Sequence, residues 1–116
     1  QPDGGTIEIW GDGTQTRSFL FIDECLTGIE KLMESDFTGP VNLGSEEMVS
    51  INQLADMVIA ISGKNLGKKN IDGPRGVAGR NSHNQLIQDK LGWKPNETLL
   101  SGLEKTYRWV NDQVNN

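Results

Sequence analysis

Apolar and polar residues alternate through Thr6-Ile7-Glu8-Ile9-Trp10, with Ile7 and Ile9 on one side. That period of two marks a half-buried strand. Gly11-Asp12-Gly13 follows, a run that tolerates positive φ and reads as a turn. Thr14 to Phe19 alternates again and sets Gln15, Arg17 and Phe19 on one face. The spacing therefore predicts a β-hairpin or β-arch that displays Arg17. The period then changes. Leu26, Ile29, Leu32 and Met33 recur at helical spacing behind Asp23, a candidate N-cap, and predict a helix over 23–34. Phe37 to Pro40 breaks it, and Val41-Asn42-Leu43-Gly44 is a short extended run, a strand ending in glycine.

Ser50 followed by Gln53 is a capping-box pattern. Ile51, Leu54, Ala55, Val58 and Ile61 then form one apolar face, and Gly63 is a natural stop, which predicts a helix over 51–62. Glu46 and Glu47, near its start, complement its dipole. Residues 64–81 hold four glycines, Pro74 and five basic residues. Lys69 to Asp72 reads as a short strand and the remainder as an irregular loop. Asn81 or Ser82 is a cap for the next helix, which carries Gln85 in its first turn. Its Leu86, Ile87 and Leu91 face inward, and Gly92 ends it. A last helix over 99–114 places Leu99, Leu103, Val110 and Val114 on one face. Strands alternating with helices predict an α/β or α+β fold in a single domain, residues 1–116.

Composition narrows the function classes. Among 116 residues the net charge is −5, which argues against a nucleic-acid binder because such a surface needs a basic footprint. Two local basic spots remain: Lys64, Lys68 and Lys69, and Arg75 with Arg80. No apolar run approaches the roughly 20 residues of a membrane helix. The one cysteine, Cys25, can form no intrachain disulfide. With no signal segment recognisable, this gives a cytoplasmic expectation. One Cys and one His cannot close a zinc site.

The candidate chemistry is sparse. His83, beside Ser82 in a polar helix start, is better explained as a solvent-facing histidine than as a triad member. Cys25 reads as a buried structural cysteine, with no neighbouring cation to activate it. Gly11-x-Gly13 lacks the third glycine and the helix of a dinucleotide fingerprint, and no phosphate-loop Gly-Lys-Ser/Thr occurs. The anion candidates are Arg17 and Arg80, the second near the helix start at Ser82. There a glycine-rich loop could offer backbone N–H groups while arginine adds bidentate contacts. On residue physics alone, a surface strand arginine is the simpler account of Arg17.

Three longer segments add to this. "WGDGTQTRSFLFIDECLTGIEKL" resembles the Gly-x-Gly-x-x-x-Arg-x-Phe-x-x-(Val/Ile)-Asp-(Asp/Glu) segment of extended short-chain dehydrogenase/reductase enzymes, the NAD-dependent epimerase/dehydratase family. "PVNLGSEEMVSINQLADMV" resembles their later strand-then-helix, and "LGWKPNETLLSGLEKTYRWV" their C-terminal signature. The three stand in family order from about Thr6 to Val114. Within the family, "DECLTG", "SDFTGPVNLGSEEMVSINQLADMV" and "GPRGVAGRNSHNQLIQDKLGWKPN" are most similar to members that epimerise GDP-mannose.

The resemblance implies part of an NAD-dependent nucleotide-sugar epimerase. Such an enzyme oxidises a sugar carbon to a ketone, inverts the acidified neighbours and reduces the ketone again. It implies that Arg17 contacts the substrate diphosphate and that Ser82 also touches the substrate; Arg80, an anion candidate on its own chemistry, is placed with them. It further implies what is missing. The chain has no strand, glycine fingerprint and helix of a Rossmann cofactor half. It has no Tyr-x-x-x-Lys pair either, since Tyr107 is followed four residues later by Asn111. The family's epimerising cysteine lies upstream, so Cys25 is not its counterpart. The expectation is a C-terminal substrate-binding portion that binds a nucleotide sugar, holds no cofactor alone and is inactive alone. NAD would be bound by the full-length family member. The partner would be a cofactor domain or, in a truncated relative, a second copy joined through the apolar faces of 23–34 and 41–44.

Overall fold

Five short strands and four helices succeed one another in a computed structural model, which describes residues 1–74 and 76–115. They are β1 (Thr6–Trp10), β2 (Thr16–Ser18), α1 (Ile22–Glu34), β3 (Met48–Ser50), α2 (Ile51–Ser62), β4 (Gly67–Ile71), β5 (Gly79–Arg80), α3 (Gln85–Leu91) and α4 (Leu99–Asn115). The mixed α/β class stands as expected. Arg75, half of one predicted basic spot, lies outside the described residues.

The two strands around Gly11-Asp12-Gly13 do not pair with each other. β1 pairs in parallel with β4, in register from Thr6–Gly67 to Trp10–Ile71. β2 is the middle of a second sheet, antiparallel to β3 and parallel to β5. The turn is thus an arch between two sheets and not a hairpin. Gly11 and Gly13 take φ of 74° and 73°, and Asp12 Oδ1 accepts from the Thr14 amide and hydroxyl. The first turn of α2 then holds the arch in place. The Asn52 side chain donates to the Asp12 carbonyl at 2.9 Å, and the Asn52 amide donates to the Gly13 carbonyl at 3.0 Å. A Cβ on Gly13 would collide with the Asn52 side chain, so only glycine lets the chain pass so close.

α2 begins and ends as its residues dictate. Ser50 Oγ accepts from the Gln53 amide, Gln53 Oε1 accepts from the Ser50 amide, and Gly63 closes the helix at φ 67°. The helix packs on β1 and against α4. Ile9, Ile87 and Leu99 are the fully buried apolar side chains among the described residues. β3 ends where α2 starts, and its pairing with β2 was not apparent from the sequence. The predicted strand 41–44 forms no ladder. That run instead passes along α1, where Gly28 is buried. A Cβ on Gly28 would stand 2.5 Å from Leu43 Cδ1 and 2.8 Å from the Trp93 ring.

The caps of the other helices differ from expectation. Phe21, not Asp23, is the N-cap of α1, and it makes no side-chain cap bond. Glu24 in its first turn is used elsewhere: its carboxylate accepts from the Asn96 and Glu97 amides at 2.9–3.0 Å. Glu47 Oε1 accepts from the Leu99 amide at 3.0 Å. Two carboxylates distant in sequence therefore satisfy backbone donors leading into α4, groups with no partner inside the helix. At the same approach to α4, Lys105 at 2.8 Å and the Ser101 hydroxyl hold the Glu97 carboxyl below the ordinary carboxylate range. α3 starts after Asn84, not Asn81 or Ser82, and its Leu86 is exposed while Ile87 is inside.

Much of the predicted apolar face of α1 points outward. Ile22, Leu26, Ile29 and Met33 form a stripe that is exposed, Met33 by 78%. The inward face carries Cys25, Gly28 and Leu32. On α4, Leu99 is buried but Val110 and Val114 are exposed beside Trp109. The Cα radius of gyration is 16.7 Å, against about 13 Å for a compact domain of this length. The accessible area is 7794 Å², against roughly 6,300 Å² for a compact protein of 12.8 kDa. The chain thus shows solvent an apolar surface that a closed domain would cover.

Two substitutions test this packing. Glu24→Ala strands the amides before α4, and urea unfolding should show a loss of about 1–3 kcal/mol, the range for a charged hydrogen-bond partner. Gly28→Val forces Leu43 and the Trp93 ring apart. Thermal unfolding should show a comparable loss of about 1–3 kcal/mol from overpacking, and an unchanged midpoint would refute the close approach.

Candidate functional site

The three-stranded sheet gathers the anion candidates. Arg17 is the central residue of β2, and its ladder partner on β5 is Arg80. Register partners in a sheet face the same side, and neighbouring strands run roughly 4.8 Å apart. Two residues 63 positions apart in sequence are therefore adjacent on one face. Gly79 makes this approach possible, because a Cβ there would stand 2.9 Å from Thr16 Oγ1. The Thr16 amide also donates to the Ala78 carbonyl at 2.9 Å, which fixes the loop ahead of β5 against β2. Gly76, at φ 73°, passes beside the Arg17 guanidinium.

The electrostatics of this pair are unbalanced. Arg17 is half-buried and Arg80 exposed. Arg17 Nη1 donates to the Thr16 carbonyl at 2.7 Å. Among the described residues neither arginine forms an ion pair. Like charges on directly opposed ladder positions are unfavourable. An anion bridging them removes that cost and gains charge-assisted bonds.

Ser82 lies two residues beyond Arg80. Its hydroxyl donates to Asn84 Oδ1 at 2.5 Å. Asn84, only 6% exposed, donates through Nδ2 to the Gly44 carbonyl at 2.6 Å and through its amide to Glu46 Oε1 at 2.9 Å. Gly44 is needed here too, since a Cβ would stand 2.6 Å from Ser82 Cβ. The structure therefore brings Arg17 and Arg80 together and ties Ser82 to the Gly44 turn. The expected helix-start cradle for an anion does not form. α3 has seven residues, and the Glu46 carboxylate already occupies the approach to it.

The remaining candidates stay apart. His83 is exposed, as a solvent-facing histidine should be. Cys25 is half-buried, less enclosed than expected, because α1 turns its broader apolar face outward. Tyr107 is half-buried within α4. No group of three His, Cys, Asp or Glu side chains among the described residues could hold a metal ion. No helix among them is long and apolar enough to cross a membrane.

One residue gained importance only from the structure. Gln15 is 7% exposed, and its buried Oε1 has no hydrogen-bond partner among the described residues. It lines a groove of about 370 Å³ with Ile9, Trp10, Ile51, Leu54 and Pro74. Its alternation with Arg17 was legible in the sequence. Its burial was not, because that depends on α2 closing over the arch.

The arrangement can bind an anion and a polar group next to it. It offers no acid–base pair. No protein-family model matches the chain. Over 108 residues, 93% of its length, the chain is 56% identical to GDP-mannose 3,5-epimerase of Arabidopsis thaliana and 52% identical to GDP-mannose 3,5-epimerase 1 of Oryza sativa subsp. japonica. It spans 29% of the length of each. It is 36% identical over 91% of its length to a dTDP-4-dehydro-6-deoxy-D-allose reductase of Streptomyces bikiniensis, spanning 32% of that protein. Among solved structures, UDP-glucuronic acid 4-epimerase from Bacillus cereus, in complex with UDP-glucuronic acid and NAD, matches 93% of this chain at a TM-score of 0.84 and 29% identity. The match spans 36% of that chain. UDP-glucose 4-epimerase from Thermotoga maritima shares the fold at a TM-score of 0.88 and 24% identity, over 94% of this chain and 36% of its own. In sequence and in fold, this chain matches about a third of extended short-chain dehydrogenase/reductase enzymes of the NAD-dependent epimerase/dehydratase family, and it fits their C-terminal part.

Proposed function

We propose that the chain is the substrate-binding portion of an NAD-dependent nucleotide-sugar epimerase, with GDP-mannose or a close analogue as substrate. The observation that carries this reading is the Arg17–Arg80 ladder pair, two cations side by side on one sheet face with no ion pair among the described residues. A nucleoside diphosphate would supply the bridging anion, and Ser82, two residues beyond Arg80 in sequence, is the residue we assign to the rest of the substrate. The identity with the two plant GDP-mannose epimerases supports the choice of nucleotide and sugar.

NAD does not fit the residues present. The Gly11-Asp12-Gly13 turn leads into a strand and not a helix, and Gly13 is pressed against Asn52. The chain also carries no Tyr-x-x-x-Lys pair to move a proton during hydride transfer. In this reading the chain is inactive alone. A dinucleotide-binding portion, on the same polypeptide or another, supplies the redox chemistry. The exposed stripe Ile22, Leu26, Ile29 and Met33 is the surface such a portion would cover. The compartment is the cytoplasm, consistent with a single unpaired cysteine.

The same stripe favours a second reading, self-association through α1 and the exposed end of α4. Around the start of α1 these elements form a groove of about 600 Å³, lined in part by Phe21, Ile22, Trp109 and Val110. Sedimentation of the isolated chain separates the two readings. A monomer that binds no apolar dye removes the self-association reading.

Calorimetric titration tests the first. GDP-mannose, GDP and inorganic pyrophosphate should each bind saturably. Arg17→Ala and Arg80→Ala should each weaken all three by about 1.5–3 kcal/mol, the scale of a charge-assisted hydrogen bond. No heat with millimolar ligand would sink the proposal.

A further inference from the structure

The arch between the two sheets has glycine on either side of Asp12, at φ 74° and 73°. A chain so free to bend is a soft support for the strand that follows it. Its three successive carbonyls are nevertheless all taken by other elements. Asn70 Nδ2, on β4, donates to the Gly11 carbonyl at 2.9 Å. Asn52, on α2, donates through Nδ2 to the Asp12 carbonyl at 2.9 Å and through its amide to the Gly13 carbonyl at 3.0 Å. The Gly11 amide donates to the Ile71 carbonyl at 2.8 Å, so β4 holds Gly11 through both of its polar groups. Beyond the arch, the Ile51 amide donates to the Gln15 carbonyl at 3.1 Å. Arg17 comes two residues later.

Asn70 is the member of this set that its own strand does not explain. It is exposed, and its register partner is the buried Ile9, so the two share the sheet face that packs on α2. Lys68, on the same face, reaches Asp56 of α2 at 2.6 Å. Asparagine is disfavoured in strands, and a β-branched residue would pair better beside Ile9. The bond it makes instead spans 59 positions and ties one sheet to the turn that enters the other. We propose that Asn70, together with Asn52, is a positioning residue. The two side-chain amides lock the arch and so fix the Arg17 guanidinium beside Arg80, where the diphosphate is to be held. The β2–β5 ladder that sets this pair is two residues long and half glycine, and register is weakly specified in such a strand. The proposal takes its ligand from the sugar-nucleotide reading above, but the lock itself does not depend on that reading.

Two readings on Asn70→Ala test it. Calorimetric titration with inorganic pyrophosphate should show an affinity about three- to tenfold below wild type, the worth of one neutral hydrogen bond. The Arg17 Nε–H signal in a nitrogen-15 spectrum, assigned by its loss in Arg17→Lys, should shift or broaden. The signal of Arg108, on α4, should stay in place. A merely structural role would lower the unfolding midpoint and leave the Arg17 signal of the folded chain unmoved. Asn70→Asp keeps the size, loses the donor and should behave alike, and it decides the matter if the alanine variant does not fold. An unmoved Arg17 signal would overturn the proposal, and so would a moved signal with unchanged pyrophosphate affinity. A wild type that binds no pyrophosphate, with an Arg17 signal that moves in the variant, would overturn the sugar-nucleotide reading and leave the lock standing.

Discussion

Three residues of β2 hold the architecture and the candidate site together. Thr16, Arg17 and Ser18 pair on one side with the segment that runs directly into α2 and on the other with the segment that runs into Ser82 and α3. Each ladder is only two or three residues long, so its backbone bonds alone are weak. Its persistence depends on the glycines that let the neighbours approach, Gly13 against Asn52 and Gly79 against Thr16. Once β2 is central, the arginine in its middle must stand next to whatever β5 carries at that register. Here that residue is Arg80.

Carboxylates fasten the rest. Glu24, Glu46 and Glu47 each accept from backbone amides of a segment distant in sequence, ahead of α3 or at the approach to α4. A carboxylate is well suited to this because it accepts several charge-assisted bonds and complements the positive end of a helix. These acidic side chains are internal fasteners, and they close the helix starts to other anions. The basic pair on the sheet is the anion site proposed here.

The small buried core and the exposed stripe on α1 belong together. Ile22, Leu26, Ile29 and Met33 repeat as strictly as any buried helix face, yet none of the described residues covers them. The loops at 41–44 and 93–97 anchor the opposite side of α1 through Gly28 and Glu24. The chain spans about a third of the length of the proteins it matches, and its large accessible area is of a piece with that. Its apolar periodicity encodes a larger core than its own residues can close.

The sequence by itself determined the elements whose signals are local. α2 with its capping box and glycine stop, the strand at β1, the positive-φ glycine turn and the helical spacing in 23–34 and 99–114 were all legible, because backbone propensity and side-chain period act over a few residues. The ordered motifs likewise pointed to the family and marked Arg17 and Ser82, and residue chemistry marked Arg80. Only the tertiary structure decided which strands pair, which face of α1 is inside, and that Arg17 and Arg80 are neighbours. It also decided that Gln15 is buried and that Asn84 is tied to Gly44 and Glu46. Most of these are contacts between segments far apart in the chain. They are set by close approach and by the satisfaction of backbone donors, and a periodic pattern says which side of an element is apolar without saying what, if anything, will cover it.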